Sequence, residues 1–232
     1  VGFNLRNQNK DLKVIILQND QWDVQKIITK PQYVIGRELH FRYDSPLQYE
    51  GGNEFLYFDT KDSRVVNPSI SHVELDDIYQ TYLFTDPERK NYPYTLNPDI
   101  NGDFEINTVQ GANPDIESDY TQVYFSLAKQ YTLQEEEIYL YGKFTNYEIK
   151  DEYKLTYNPS YEVYEGTWLI KQGFYNYKYV WKSDGVLDKN RISGSHAATE
   201  NQYLILAYTR LIGTQHDALI AKERISSFEI EN

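Results

Sequence analysis

The sequence contains no cysteine and no methionine. Without cysteine there is no disulfide framework, thiolate metal site, iron–sulfur cluster or cysteine nucleophile. The redox compartment stays open, because a cysteine-free chain suits an oxidising space without requiring one. Long apolar runs are missing too. Stretches such as 14–17 and 204–207 fall far short of the roughly 18 residues of a membrane span, so no membrane insertion of its own is expected. Basic charge is scarce: 23 Lys and Arg stand against 35 Asp and Glu, a formal net charge of −12. Affinity for phosphate backbones comes from clustered cations, so no nucleic-acid partner is expected. No segment carries a helical apolar period longer than two turns. The chain begins at Val1 with no signal-like segment, which reads as a trimmed piece of something longer.

What is abundant is tyrosine, with 23 residues against 19 Leu. That inversion of normal usage favours strands, since the tyrosine ring fits a pleated, half-buried surface. Short β-branched or aromatic segments separated by Gly, Pro, Asn and Asp are predicted as strands at 13–18, 38–44, 54–59, 72–74 and 79–84. Further strands are expected at 137–141, 153–157, 161–170, 174–181, 203–209 and 218–225. Val123, Phe125 and Leu127 share one face of another. Tyr175, Tyr177, Tyr179 and Trp181 fall on one strand face, with Asn176, Lys178 and Val180 on the other. Asn101-Gly102 is a hairpin signal.

Seven of the 8 prolines lie at or before Pro114, whereas 15 of the tyrosines lie after it. The stretch 107–118 lacks alternation and reads as a linker. The expected fold class is therefore all-β, as two tandem immunoglobulin-like or early-set β-sandwich domains, residues 1–112 and 113–232.

Chemistry-bearing patterns are sparse. His40, His72, His196 and His216 show no metal-ligand spacing, and neither a phosphate-cradling glycine loop nor a nucleophile elbow is present. Ser193-Gly194-Ser195-His196 reads as a loop, and Glu135-Glu136-Glu137 as a solvated turn. Asp99, Asn101 and Asp103 resemble the start of a calcium loop, but Phe104 and Gln110 stand where that loop needs Gly and Glu, so a turn is expected. No catalytic residue, metal or cofactor is assigned. Aromatics expected in loops, namely Trp22, Phe144 and Tyr147, are the candidate contacts to a partner or a sugar, because such side chains bring rigid area and a polar tip.

Two stretches point to families. Gly2-Phe3-Asn4-Leu5-Arg6-Asn7, Val14 to Asp23, Gly51-Gly52-Asn53-Glu54-Phe55, Asp99 to Phe104, Asn113 to Tyr120, Lys171 to Tyr177 and Thr199 to Tyr203 occur in an order that resembles the plug-protein family of the type IX secretion system of Bacteroidetes. Inside the second half, Ile138 to Tyr147 with Tyr164-Glu165-Gly166 and Gly173 to Val180 is similar to glycogen-binding early-set modules. Tyr147 stands where those modules carry a sugar-stacking Trp. The first resemblance implies a non-catalytic periplasmic subunit, associated with the outer membrane through its partner, the translocon barrel, whose periplasmic mouth it occludes. It also implies an additional N-terminal β domain beyond this sequence. The second leaves carbohydrate as the alternative partner.

Overall fold

The structure, a computed structural model, describes residues 12–36, 38–43, 45–129, 136–211 and 213–229. The Gly2 to Asn7 part of the family resemblance lies outside them, as do Asp44 and Glu135. The described chain is nearly all β. It opens with β1 (Leu12–Gln18), β2 (Gln21–Ile28), β3 (Tyr33–Ile35) and β4 (Glu38–His40), and continues with β5 (Leu56–Asp59), β6 (Ile70–Leu75), β7 (Tyr79–Leu83) and β8 (Phe104–Ile106). After the single-turn helix α1 (Pro114–Glu117) come β9 (Tyr120–Ala128), β10 (Glu137–Tyr141), β11 (Thr156–Asn158), β12 (Val163–Lys171), β13 (Gly173–Ser183) and β14 (Val186–Asp188). The last strands are β15 (Gln202–Arg210) and β16 (Asp217–Ser226).

The all-β class agrees with the sequence expectation, but the division of the chain does not. Two compact units form, one from 1–51 together with 200–232, the other from 52–199. The units are nested rather than tandem, and the expected boundary at 112/113 cuts through the second. Locally the stretch 107–118 does look like a linker. Yet β8 before it pairs with β13 after it, and β7 before it pairs in parallel with β9 after it. Strand pairing across long sequence separations leaves no mark on local composition.

In the first unit the strands run β16-β15-β1-β2. The β1–β2 hairpin turns through Asn19 and Asp20, at φ 51° and 57°, the left-handed pair that the twist of a two-residue hairpin requires. Leu12, Val14 and Ile28 pack with Leu39, Phe41 and Leu47 on one face, while Ile15, Leu17 and Leu206 cluster on the other. Burial on both faces explains why residues 14–17 are a continuous apolar run and not an alternation. Asn19 and Asn201 lock the unit's two chain segments together, with Asn19 Nδ2 donating to Asn201 Oδ1 at 2.9 Å and Gln202 N donating to Asn19 Oδ1 at 2.9 Å.

The second unit is a sandwich of two five-stranded sheets. One is built on β13, which carries β5 and β8 along its first half and β10 and β14 along its second. The other has the order β11-β12-β9-β7-β6. Between them lies one core containing Phe58, Ile70, Val123, Phe125, Leu127, Ile138, Leu140, Tyr175, Tyr177 and Tyr179. The alternation of Val123, Phe125 and Leu127, and of the β13 tyrosines, points inward as the pattern predicts. The other face of β13 is buried as well: Asn176 is 0% and Lys178 7% exposed.

What covers Asn176 is the loop 99–103. A turn is present there, closed by Asp103 N donating to Ile100 O at 3.1 Å, with Asn101 and Gly102 at φ 57° and 82°. No hairpin follows from it, because β8 pairs with β13 and no strand precedes the turn. Asn176 Oδ1 accepts from Ile100 N at 2.6 Å, and Asp99 accepts from Phe55 N and Asn101 N. Those carboxylate oxygens are thus engaged with backbone amides, the role of an Asx turn.

Candidate functional site

The three aromatics singled out in the sequence do not form one site. Trp22 is not in a loop: it lies on β2 of the first unit, 53% exposed on the outermost strand of its sheet. The two-residue turn at Asn19-Asp20 brings it into the ladder, which residue-by-residue periodicity of 21–28 did not show. Tyr147 and Phe144 follow β10 in the second unit but pack on different clusters. Tyr147 is half-buried against Tyr139, Tyr141 and Val180. It sits in the left-handed region at φ 54°, unusual for a bulky residue. Its backbone N donates to Gly142 O at 3.0 Å and its hydroxyl to Asn101 O at 3.2 Å. The ring that takes the place of a sugar-stacking Trp is therefore a clasp on the loop 99–103.

Phe144, in the short 3-10 helix Lys143–Thr145, packs against the main core and meets Tyr175 edge-on at 5.7 Å and 89°. It opens onto a surface groove of about 480 Å³ whose aromatic lining includes Phe104, Tyr153, Trp168 and Tyr175. Each comes from a different stretch: β8 supplies Phe104, β12 Trp168, β13 Tyr175, and the 3-10 turn Asp151–Tyr153 supplies Tyr153. Phe104 stacks on Tyr175 at 5.3 Å and 5°. Trp168 is fixed by its indole Nε1 donating to Glu152 O at 2.6 Å, and Tyr175 by its hydroxyl donating to Lys171 O at 2.7 Å. Burial pushes both the Tyr153 and Tyr175 hydroxyls up in pKa. Lys143, Lys171 and Glu152 stand at the rim. Such a groove presents rigid apolar area with charged groups around it, the composition of an anchor pocket for a partner's side chain.

Away from the groove several titratable groups are engaged with protein partners. Asp86 Oδ2 accepts from Tyr177 and Tyr179 hydroxyls, each at 2.8 Å. Desolvation raises this carboxyl to about 6, against the lowering effect of the two tyrosine bonds and of Arg89. Arg89 in turn donates from Nη2 to Glu54 O at 2.8 Å, and Glu54, 2% exposed, accepts from the Tyr94 hydroxyl at 2.5 Å. Ser195 and His196 hold Gly52, through Gly52 N donating to Ser195 Oγ at 3.0 Å and His196 N donating to Gly52 O at 2.7 Å. Glu136 and Glu137 form ion pairs with Lys129 and Lys154. Among the described residues no group of three or more His, Asp and Glu side chains is placed to hold a metal ion, and no helix is long and apolar enough to cross a membrane.

Fold and groove together define an all-β protein of two nested units with an aromatic groove on the second. The fold is shared by a solved structure. The crystal structure, at 2.30 Å resolution, of a hypothetical protein from Parabacteroides merdae ATCC 43184 matches this chain with a TM-score of 0.86 and 28% identity, over 95% of this chain and 56% of that one. The chain thus spans little more than half the length of that protein. No family model and no curated protein matches the sequence.

Proposed function

We propose that this chain belongs to a non-catalytic periplasmic plug subunit that binds the outer-membrane translocon barrel of type IX secretion and occludes its periplasmic mouth. The ordered sequence resemblance along the chain supports the reading, and the aromatic groove is the structural observation that carries it. A plug must be stiff, and must hold its partner through a few well-packed anchors without an extensive apolar interface. The groove supplies such an anchor on walls that do not need to move, because Trp168 and Tyr175 are hydrogen-bonded to backbone carbonyls. Lys143, Lys171 and Glu152 give the groove charged groups of both signs, which would set the orientation of a partner's approach.

Affinity isolation from cells carrying a tagged copy tests the proposal. The barrel protein should be recovered with the tagged subunit, and deleting the subunit should make the outer membrane leaky to small solutes. Recovery of no outer-membrane barrel protein would sink the reading.

A further inference from the structure

One wall of the groove at Phe144 is the unpaired edge of a strand. Trp168, Leu169, Ile170 and Lys171, consecutive residues of β12, all line it. Successive side chains of a strand point to opposite faces, so consecutive residues line a groove together only where the strand turns its edge to it. The edge is open because β11 covers little of it, pairing with β12 at Val163, Tyr164 and Glu165 and no further. Just before β11 the chain belongs to the other sheet: Lys154 bridges to Tyr139 of β10, and Leu155 N donates to Ile138 O at 2.8 Å.

The parity of the β9–β12 ladder identifies the backbone groups left over. Lys129 N donates to Glu162 O at 2.9 Å at one end, and Gln172 N donates to Asp119 O at 2.7 Å at the other. Bonded positions alternate along an antiparallel pair. Gly166, Trp168 and Ile170 therefore turn their N–H and C=O to β9, whereas Thr167, Leu169 and Lys171 turn theirs away from it. Lys171 O accepts from the Tyr175 hydroxyl at 2.7 Å. Among the described residues no backbone group pairs with the outward amides and carbonyls of Thr167 and Leu169. Such an edge is a template for a further strand.

From this geometry we infer that the partner enters the groove as an extended segment that adds to β12 along 167–171, with a large apolar side chain facing Trp168 and Phe144 and a carboxylate side chain at Lys171. The inference rests on the groove being a partner's seat and goes beyond it by naming the form of the segment that sits there. In strand addition the main-chain bonds give affinity and the pockets for alternate side chains give specificity. A helical segment bonds its own amides and carbonyls internally, so it cannot satisfy this edge. The charge of the segment follows from the lysines. Lys143 is already paired with Asp103, but Lys171 Nζ donates to a backbone carbonyl, Asp115 O, at 2.5 Å and has no carboxylate in ion-pair range among the described residues. Lys171 lies on the strand face opposite Trp168 and Ile170, so the carboxylate stands one or three positions from the apolar anchor.

The probes are short synthetic peptides of alternating Thr and Val, with Phe, Leu or Trp at the centre and Glu three positions on, titrated into the full chain and followed by amide hydrogen exchange. At least one should bind with a Kd below about 1 mM and slow exchange at Thr167 and Leu169 by at least about tenfold. Methylating the peptide's backbone nitrogens at one alternating set of positions should weaken binding by at least about tenfold, and at the other set by less than about twofold. Lys171→Gln should weaken the Glu peptide by about threefold and leave a Gln counterpart unchanged. The inference is overturned if none of the peptides binds, if one binds without slowing Thr167 and Leu169, if methylation at the two sets has equal effects, or if Lys171→Gln does not distinguish Glu from Gln. Failure of the plug reading is a separate result, in which the barrel is not recovered whatever the peptides do. A barrel complex that leaves both amides fast overturns strand addition and not the plug.

Discussion

Replacing Asp86 with asparagine should change how the stability of the second unit depends on pH. The native carboxyl points at two buried tyrosine hydroxyls, each 2.8 Å from Oδ2, and its pKa is raised from 3.8 to about 6, with desolvation the largest cause. Because the folded state holds this proton more tightly than the unfolded chain does, the group's contribution is fully present below about pH 4. It is lost as pH rises through about 6. A difference of about two pH units corresponds to at most about 3 kcal/mol, and less to the extent that solvent reaches the half-buried side chain. Asparagine keeps an oxygen to accept both tyrosine hydroxyls but does not titrate. Urea unfolding of the two proteins at half-unit steps from about pH 4 to about pH 7 isolates the effect, since the other carboxylates are common to both and cancel. The variant should gain up to about 3 kcal/mol relative to the native protein across that range, nearly all of it between about pH 4 and about pH 6, with half the change reached near about pH 5. A difference that stays constant within about 0.5 kcal/mol, or that runs the other way, would refute the assignment.

Three further outcomes follow from the same contacts. Tyr179→Phe removes one of the two hydroxyls bonded to Asp86, so it should destabilise by about 1–2 kcal/mol at pH 8 and by less at pH 4, measured by the same unfolding curves. Gly102→Ala places a Cβ 2.7 Å from the Phe55 ring in backbone at φ +82°, and should cost at least about 2 kcal/mol in chemical denaturation, against about 1 kcal/mol for Gly185→Ala, where φ is +76° but the added Cβ meets open space. Asn176→Ala strips the acceptor from Ile100 N and Gly102 N, so it should cost about 2–4 kcal/mol and expose the amides of 100–103 to rapid hydrogen exchange.

Local pattern carried much of this fold. Alternation placed Val123, Phe125 and Leu127, and Tyr175, Tyr177 and Tyr179, facing inward, and the structure buries all six. The pattern failed where burial comes from both sides. Asn176 and Lys178 fall on the strand face opposite the tyrosines, yet Asn176 is an acceptor for a loop more than 70 residues earlier in sequence, and the Lys178 ammonium lies 5.4 Å from the centre of the Phe55 ring and 3.3 Å from Asn190 Oδ1. A polar residue that satisfies a distant backbone looks the same in sequence as one that faces water. The nesting of the units was hidden for a related reason: Asn19 and Asn201, which join the ends of the first unit, are 182 positions apart. Of the candidate contacts, Phe144 reached a groove, but its companions Phe104, Tyr153, Trp168 and Tyr175 come from four other stretches of chain. No spacing rule connects them. Trp168 offered the strongest hint, as a large aromatic alternating with Gly166 on the inward face of β12.

The proposal that the groove seats a partner is tested most directly by a photo-crosslinking amino acid placed at Lys143, on the groove rim, in the protein expressed in its own cells. Irradiation should yield one dominant adduct with the outer-membrane translocon barrel, and Phe144→Ala in the same chain should reduce it severalfold. Adducts that are absent, that form equally well from a site at Leu219 on the first unit, or that contain no outer-membrane barrel protein would contradict the account.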